Sequence, residues 1–228
     1  MPFSDVIGHE RTIAQLRAAV RHDRLAHAYL FYGEEAIGKR LVAIRLAQAL
    51  NCEQPPAGDE LDACGRCQAC RHIEAHTHPD VYLIEPDQEL ANPQIKIEQI
   101  RALEEHTIYR PLMGLYKVWI IDDAHRMTLG AANALLKTLE EPPGQGLFIL
   151  VTSRPSALPP TIRSRCQTVR FTPPARTQVE AALILRREMP PAEAHFLAVD
   201  KQSRIGAALV ADLAATRAQH QELATLVA

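Results

Sequence analysis

Ala28-Tyr29-Leu30-Phe31-Tyr32-Gly33-Glu34-Glu35-Ala36-Ile37-Gly38-Lys39-Arg40 is the stretch that decides the fold. Its first five residues form an unbroken apolar and aromatic run of strand length. Gly33, Gly38 and Lys39 then fit a phosphate-binding loop, G-x-x-x-x-G-K-S/T, set between a strand and a helix. In such a loop the backbone N–H groups and the lysine meet phosphate oxygens, and the closing hydroxyl ligates Mg²⁺. Here Arg40 stands where that hydroxyl belongs. A guanidinium carries only donors, cannot ligate a cation, and sets a second positive charge beside Lys39. The scaffold reads as that of a nucleotide hydrolase whose metal position is altered, which points to a helper beside a working ATPase. Lys39 and the loop amides persist, so whether ATP or ADP still binds stays open at this level.

Working outward, Ile13, Leu16, Ala19 and Val20 recur at helical spacing before the loop, and Ala43, Leu46, Ala47 and Leu50 do so after it. Further strands are expected at Val81 to Ile84, Val118 to Asp122 and Leu147 to Thr152. Helices between them are marked by Ile97, Ile100 and Leu103 and by Leu135, Leu136 and Leu139. This alternation predicts a three-layer α/β domain with a parallel sheet over residues 1–171, with ligands at the strand C-termini. Thr172-Pro173-Pro174 closes it, and residues 172–228 carry only helix-like patterns, predicting a small all-helical domain. Val118-Trp119-Ile120-Ile121-Asp122-Asp123 delivers two carboxylates at a strand end, which such a sheet would bring next to the glycine loop. In a working ATPase the first supports the metal and the second, normally Glu, orients the attacking water. Asp123 is one methylene shorter than Glu. Taken alone, the two acids are better explained as a strand end running into a loop. With the glycine loop upstream, descent from a nucleotide site is the better account.

Composition bounds the function classes. With 228 residues, 47% hydrophobic and 23% charged, the chain has an ordinary globular balance and room for one sizeable core plus a smaller domain. No apolar run approaches a membrane span and no signal-peptide pattern opens the sequence, so a cytoplasmic address is expected. A net charge of −2 and 5% aromatics give little to a dedicated nucleic-acid binder. Of the five cysteines, Cys64, Cys67 and Cys70 form C-x-x-C-x-x-C, Cys52 lies shortly upstream, and Cys166 stands apart. Four thiolates so spaced suit a closed tetrahedral Zn²⁺ site, structural rather than catalytic. Disulfides are disfavoured in a reducing compartment, and a thioredoxin-like pair does not come as a triplet with a fourth partner. His72, His76 or His78 could replace one thiolate.

Two longer motifs carry a family resemblance. Ala131-Ala132-Asn133-Ala134-Leu135-Leu136-Lys137-Thr138-Leu139-Glu140-Glu141-Pro142-Pro143 and Thr161-Ile162-Arg163-Ser164-Arg165-Cys166 resemble signatures of bacterial replication clamp-loader AAA+ subunits. So do His78-Pro79-Asp80 and the cysteine insertion at about 52–70, and the resemblance covers nearly the whole chain. It implies an AAA+ P-loop domain with a zinc-binding insertion followed by a helical lid domain. It also implies membership of a hetero-oligomeric ring with tau/gamma and delta subunits of DNA polymerase III, placing a sliding clamp on primer-template DNA. Within that family the altered loop resembles the delta-prime branch, since tau/gamma subunits share the insertion but keep the hydroxyl. That branch implies no intrinsic ATPase and an arginine finger, matched by Arg165, supplied in trans to a neighbouring site. Without the resemblance, the better reading of Arg165 is a surface or core-rim arginine in an ion pair. Thr152 and Ser153 resemble the family's polar sensor. Ser203-Arg204-Ile205-Gly206-Ala207-Ala208-Leu209 resembles its second sensor region, with Gly206 where an ATPase carries an arginine and Arg204 close by. The family continues into a helical collar, which residues 1–228 do not include. Two other readings use the same residues: an active tau/gamma-like ATPase relying on Lys39, Asp122 and Asp123, and a zinc-containing nucleic-acid-binding module.

Overall fold

The run Ala28–Tyr32 forms the first strand, β1, and four of its five residues are buried. The computed structural model describes residues 3–57, 61–87, 92–107, 109–142, 144, 146–216 and 218. Pro143 of the long motif, 58–60 of the cysteine insertion and 219–228 of the expected helical domain lie outside the described residues. Around β1 the chain runs α1 (Glu10–Arg21), β1, α2 (Lys39–Asn51), α3 (Gln68–Glu74), β2 (Val81–Ile84), α4 (Ile97–Thr107) and β3 (Lys117–Ile121). It continues through α5 (Leu129–Glu140), β4 (Gly146–Thr152), α6 (Pro160–Arg163) and β5 (Gln167–Arg170), then α7 (Arg176–Arg187), α8 (Pro191–Asp200) and α9 (Ile205–Val210).

All strand pairs are parallel, in the order β2-β3-β4-β1-β5. Both sheet faces are covered, as parallel sheets require. Leu30, Trp119, Ile121, Phe148 and Leu150 share one apolar cluster with Ile100 and Leu103 of α4 and Leu135 and Leu139 of α5. The alternate residues Tyr29, Phe31, Val118, Ile120, Leu147 and Ile149 are buried on the opposite face, where α2 packs against β3 and β4. That makes three layers. Trp119 and Phe148 stack across neighbouring strands with centroids 4.6 Å apart.

Two compact units result, Met1–Gly33 with Lys39–Phe171, and Glu34–Gly38 with Thr172–Ala228. In the second, α7 buries Val179 and Leu183, α8 buries Ala194 and Leu197, and α9 buries Ile205 and Ala208. The strand expected at Val118 to Asp122 is shifted by one residue, and the one expected at Leu147 to Thr152 starts at Gly146. Strand β5 and helix α3 had no counterpart in the sequence reading. β5 is a four-residue edge strand, and three of its residues are exposed, so no apolar alternation marks it. No helix among the described residues is long and apolar enough to cross a membrane.

Candidate functional site

The sheet order sets the geometry of the altered loop. β4 lies between β1 and β3, so the loop strand and the carboxylate strand are not neighbours. What joins them is the first turn of α2. Gly33 (φ 154°) and Gly38 (φ 107°) bracket the loop in conformations that a β-carbon would strain. Gly33 N–H donates to Thr152 O at 3.3 Å, tying the loop's start to the end of β4. Lys39, only 6% exposed, donates through Nζ to Gly33 O at 2.8 Å. Arg40 reaches the other way, pairing with the Glu85 carboxylate and lying 3.4 Å from Asp122 Oδ2.

Glu85 and Asp122 are the first residues beyond the C-terminal ends of the adjacent strands β2 and β3. Two carboxylates so placed would hold a divalent cation; here a guanidinium spans them. Burial pushes the Asp122 carboxyl above its ordinary range, and Asp123 and Glu85 push the same way. The Asp123 N–H and the charge of Arg40 pull it back. Asp123 takes a left-handed backbone (φ 45°), and its carboxylate pairs with Arg126 at 3.5 Å. Thr152, fully buried, shares a hydrogen bond of 3.1 Å with His125 Nδ1 and accepts one from Arg154 N–H at 3.0 Å. In the second unit, Gly206 N–H donates to Ala36 O at 2.7 Å. A Cβ at Gly206 would lie 3.0 Å from that oxygen. Arg204 Nε donates to Lys201 O at 3.2 Å, within its own unit. The sequence reading missed Glu85 and His125. Glu85 carries a weaker form of the Asp122 signal, an acid directly after an apolar run of strand length, here a strand with three of its four residues only half-buried; His125 carries none.

The four cysteines converge. Their sulfur atoms all lie within 4.8 Å of one another, and no histidine joins the group among the described residues. Tetrahedral Zn²⁺ with Zn–S bonds of about 2.3 Å needs sulfurs about 3.8 Å apart, and Cys52 Sγ and Cys67 Sγ are 4.0 Å apart. Backbone N–H groups aim at the sulfurs: Cys64 N–H at Cys52 Sγ (3.2 Å), Cys67 N–H at Cys64 Sγ (3.2 Å) and Cys70 N–H at Cys67 Sγ (3.4 Å). Such donors favour thiolates. Burial pushes the Cys64 thiol up, but the amides of Arg66 and Cys67 outweigh it and hold the thiol at about 6. Burial pushes Cys52 and Cys70 upward instead. The residues fit a metal ion. Helix α3, which carries Cys70, is tied to α2, because Gln48 Nε2 donates to Cys70 O at 2.9 Å and Arg45 pairs with Glu74.

Arg165 lies on the same sheet unit, away from these two clusters in sequence. Its Nη2 donates to Glu140 Oε1 at 2.6 Å and its Nη1 to Thr161 O at 3.0 Å. The ion-pair reading of the sequence is thus present in the structure. The next residue, Cys166, is buried, and burial pushes its thiol up to about 12, so it packs as a neutral side chain.

A family model described as DNA polymerase III, delta subunit, matches residues 8–175. The DNA polymerase III subunit delta' of Pseudomonas aeruginosa is 42% identical over 67% of this chain and 44% of its own length. The DNA polymerase III subunit tau/gamma of Haemophilus influenzae is 40% identical over 84% of this chain and 27% of its own. Among solved structures, a gamma subunit-related protein of Thermotoga maritima superposes with a TM-score of 0.57 at 28% identity, covering 82% of this chain and 56% of that one. The chain therefore spans about a quarter to a half of these curated relatives. With three quarters of its residues under one family model, and the motifs of residues 131–142 and 161–166 inside the match, the chain belongs to the DNA polymerase III delta-subunit family, the clamp-loader subunits of that polymerase.

Proposed function

We propose that this chain is the ring-forming AAA+ portion of a delta-prime-type subunit, a helper in the complex that loads the sliding clamp onto primed DNA. Its partners would be the tau/gamma and delta subunits, the clamp and primer-template DNA, and its address the bacterial cytoplasm. One observation carries the reading: Arg40 lies between Glu85 and Asp122, so a fixed side-chain cation stands where a hydrolase needs a replaceable Mg²⁺. Lys39 and the loop amides could still cradle phosphates. Hydrolysis is a different demand, since the Asp123 carboxylate that would orient water is turned to Arg126. Cys52, Cys64, Cys67 and Cys70 would hold a structural Zn²⁺. When bound, that ion would cross-link four points of the insertion and, having no open position, would take no part in turnover.

Arg165 would act in trans as an arginine finger, its planar guanidinium stabilising charge that develops on a neighbour's γ-phosphate. Such an effect is worth about 10³–10⁵ in rate in other nucleotide hydrolases. The competing reading, an active tau/gamma-like ATPase, draws on the tau/gamma relative at 40% identity and on Lys39, Asp122 and Asp123. ATP hydrolysis separates them. The isolated chain should show negligible turnover, whereas the full-length subunit should stimulate hydrolysis by partner ATPase subunits on primed DNA. Robust Mg²⁺-dependent turnover by the chain alone, abolished by Lys39→Ala, would overturn the helper reading.

A further inference from the structure

Glu140 and Arg165 are 25 residues apart in sequence, yet their side chains meet at 2.6 Å. The cause lies beneath the surface. Leu139, beside Glu140 on the last turn of α5, and Cys166, beside Arg165, belong to one buried cluster with Leu135, Leu158 and Ile162. The two backbones that carry the pair are therefore fixed relative to each other by a common core. An arginine held only by its own stem would sample many rotamers; this one is gripped at two points, by the Glu140 carboxylate and by the carbonyl of Thr161 in α6. Of the five N–H donors of a guanidinium, those two bonds use two and leave three. The side chain is 35% exposed, so part of the fork meets solvent.

We infer that Glu140 is a positioning residue for the trans-acting guanidinium: it holds Arg165 with an edge of its donor fork presented for phosphate oxygens on a neighbouring subunit. The inference rests on the arginine-finger reading above. A carboxylate suits the task because it fixes a guanidinium by charge and direction together, while the γ-phosphate meets donors it has not used. Preorganising the donor before the partner docks removes an ordering cost that would otherwise fall on the transition state.

The test uses the full-length subunit in the reconstituted assembly, with steady-state ATPase of the neighbouring site as readout. Glu140→Ala should lower kcat about two- to five-fold, the factor that a partly exposed ion pair's contribution converts to, and leave the KM for ATP in place. Glu140→Gln keeps an acceptor for Nη2 and should retain most of the activity. Arg165→Ala should lower kcat further, and adding Glu140→Ala to it should change nothing more. Melting temperature and size-exclusion chromatography check folding and assembly, and Glu140→Asp serves if the alanine variant does not assemble. Wild-type turnover in Glu140→Ala beside an impaired Arg165→Ala would overturn the positioning role and leave the finger standing. A Glu140→Ala defect that persists undiminished in the Arg165→Ala background would also overturn it. Wild-type turnover in Arg165→Ala would remove the finger reading itself, and this inference with it.

Discussion

Replacing Arg40 with threonine should turn an internal ion bridge into a divalent-cation site, and the effect can be sized from the structure. The substitution removes the cation shared by Glu85 and Asp122, whose side chains are 43% and 20% exposed. Partly exposed ion pairs contribute about 0.2–1 kcal/mol each. With the residual repulsion between the two acids, the variant should lose about 1–2 kcal/mol. It also regains the hydroxyl of an ordinary loop beside two carboxylates, a hard oxygen donor set. Mg²⁺ at ten times its dissociation constant would then return about 1.4 kcal/mol by mass action. For a chain of this size each kcal/mol moves the melting temperature by about 2–4 °C. Thermal unfolding with and without Mg²⁺, at constant ionic strength, should show a rise of about 3–6 °C for Arg40→Thr and less than about 1 °C for wild type. Adding Glu85→Gln to Arg40→Thr should abolish most of the rise. An equal Mg²⁺ response in wild type, or none in the variant, would refute the claim that the guanidinium stands in the metal's place. Hydrolysis should not return with the metal, because the Asp123 carboxylate still faces Arg126.

Protein purified without chelator should contain about one Zn²⁺ per chain. Chelation or Cys70→Ser should open residues 52–74 to protease while the sheet persists; metal analysis finding none, with four titratable thiols, would dismiss the site. Gly206→Ala should destabilise the second unit by about 1 kcal/mol, since a Cβ 3.0 Å from Ala36 O costs about 1–3 kcal/mol against a helix-propensity gain of about 1; a higher melting temperature would show that the contact yields. His78 is buried, and burial lowers its pKa below the ordinary value near 6.5, with Asp80 partly opposing. The unfolded chain therefore binds the extra proton between that lowered value and 6.5, so stability should fall as pH drops through this window, by at most about 1.4 kcal/mol per pH unit. Denaturant titrations at pH 7.0 and 5.5 should show a smaller drop for His78→Gln than for wild type.

What the sequence made legible follows the physics of each feature. β1 and the loop were readable because a buried parallel strand is a continuous apolar run and positive-φ glycines interrupt it at a fixed spacing. The cysteine cluster was readable because a metal site needs several ligands of one chemistry close in sequence. β5 was not, because an exposed edge strand has no face to mark. Glu85 was not, because its meaning depends on β2 lying beside β3, which strand order decides and local pattern does not. The pairing of Glu140 with Arg165 was similarly hidden: each lies in a recognisable motif, but the buried cluster that brings them together is a product of tertiary packing.

Helix α2 begins with Lys39 and Arg40 and ends one residue before Cys52. At about 1.5 Å per residue its thirteen residues form a rod about 20 Å long, and each extra or missing residue turns one end about 100° against the other. A deletion inside α2 could keep Arg40 aimed at Asp122 or keep Cys52 aimed at its three partners, but not both. Ten of the thirteen residues of α2 are buried besides, so descendants of this chain should hold the length of α2 fixed, and length variation should collect instead between Cys52 and Cys64, where the chain can lengthen without turning either end.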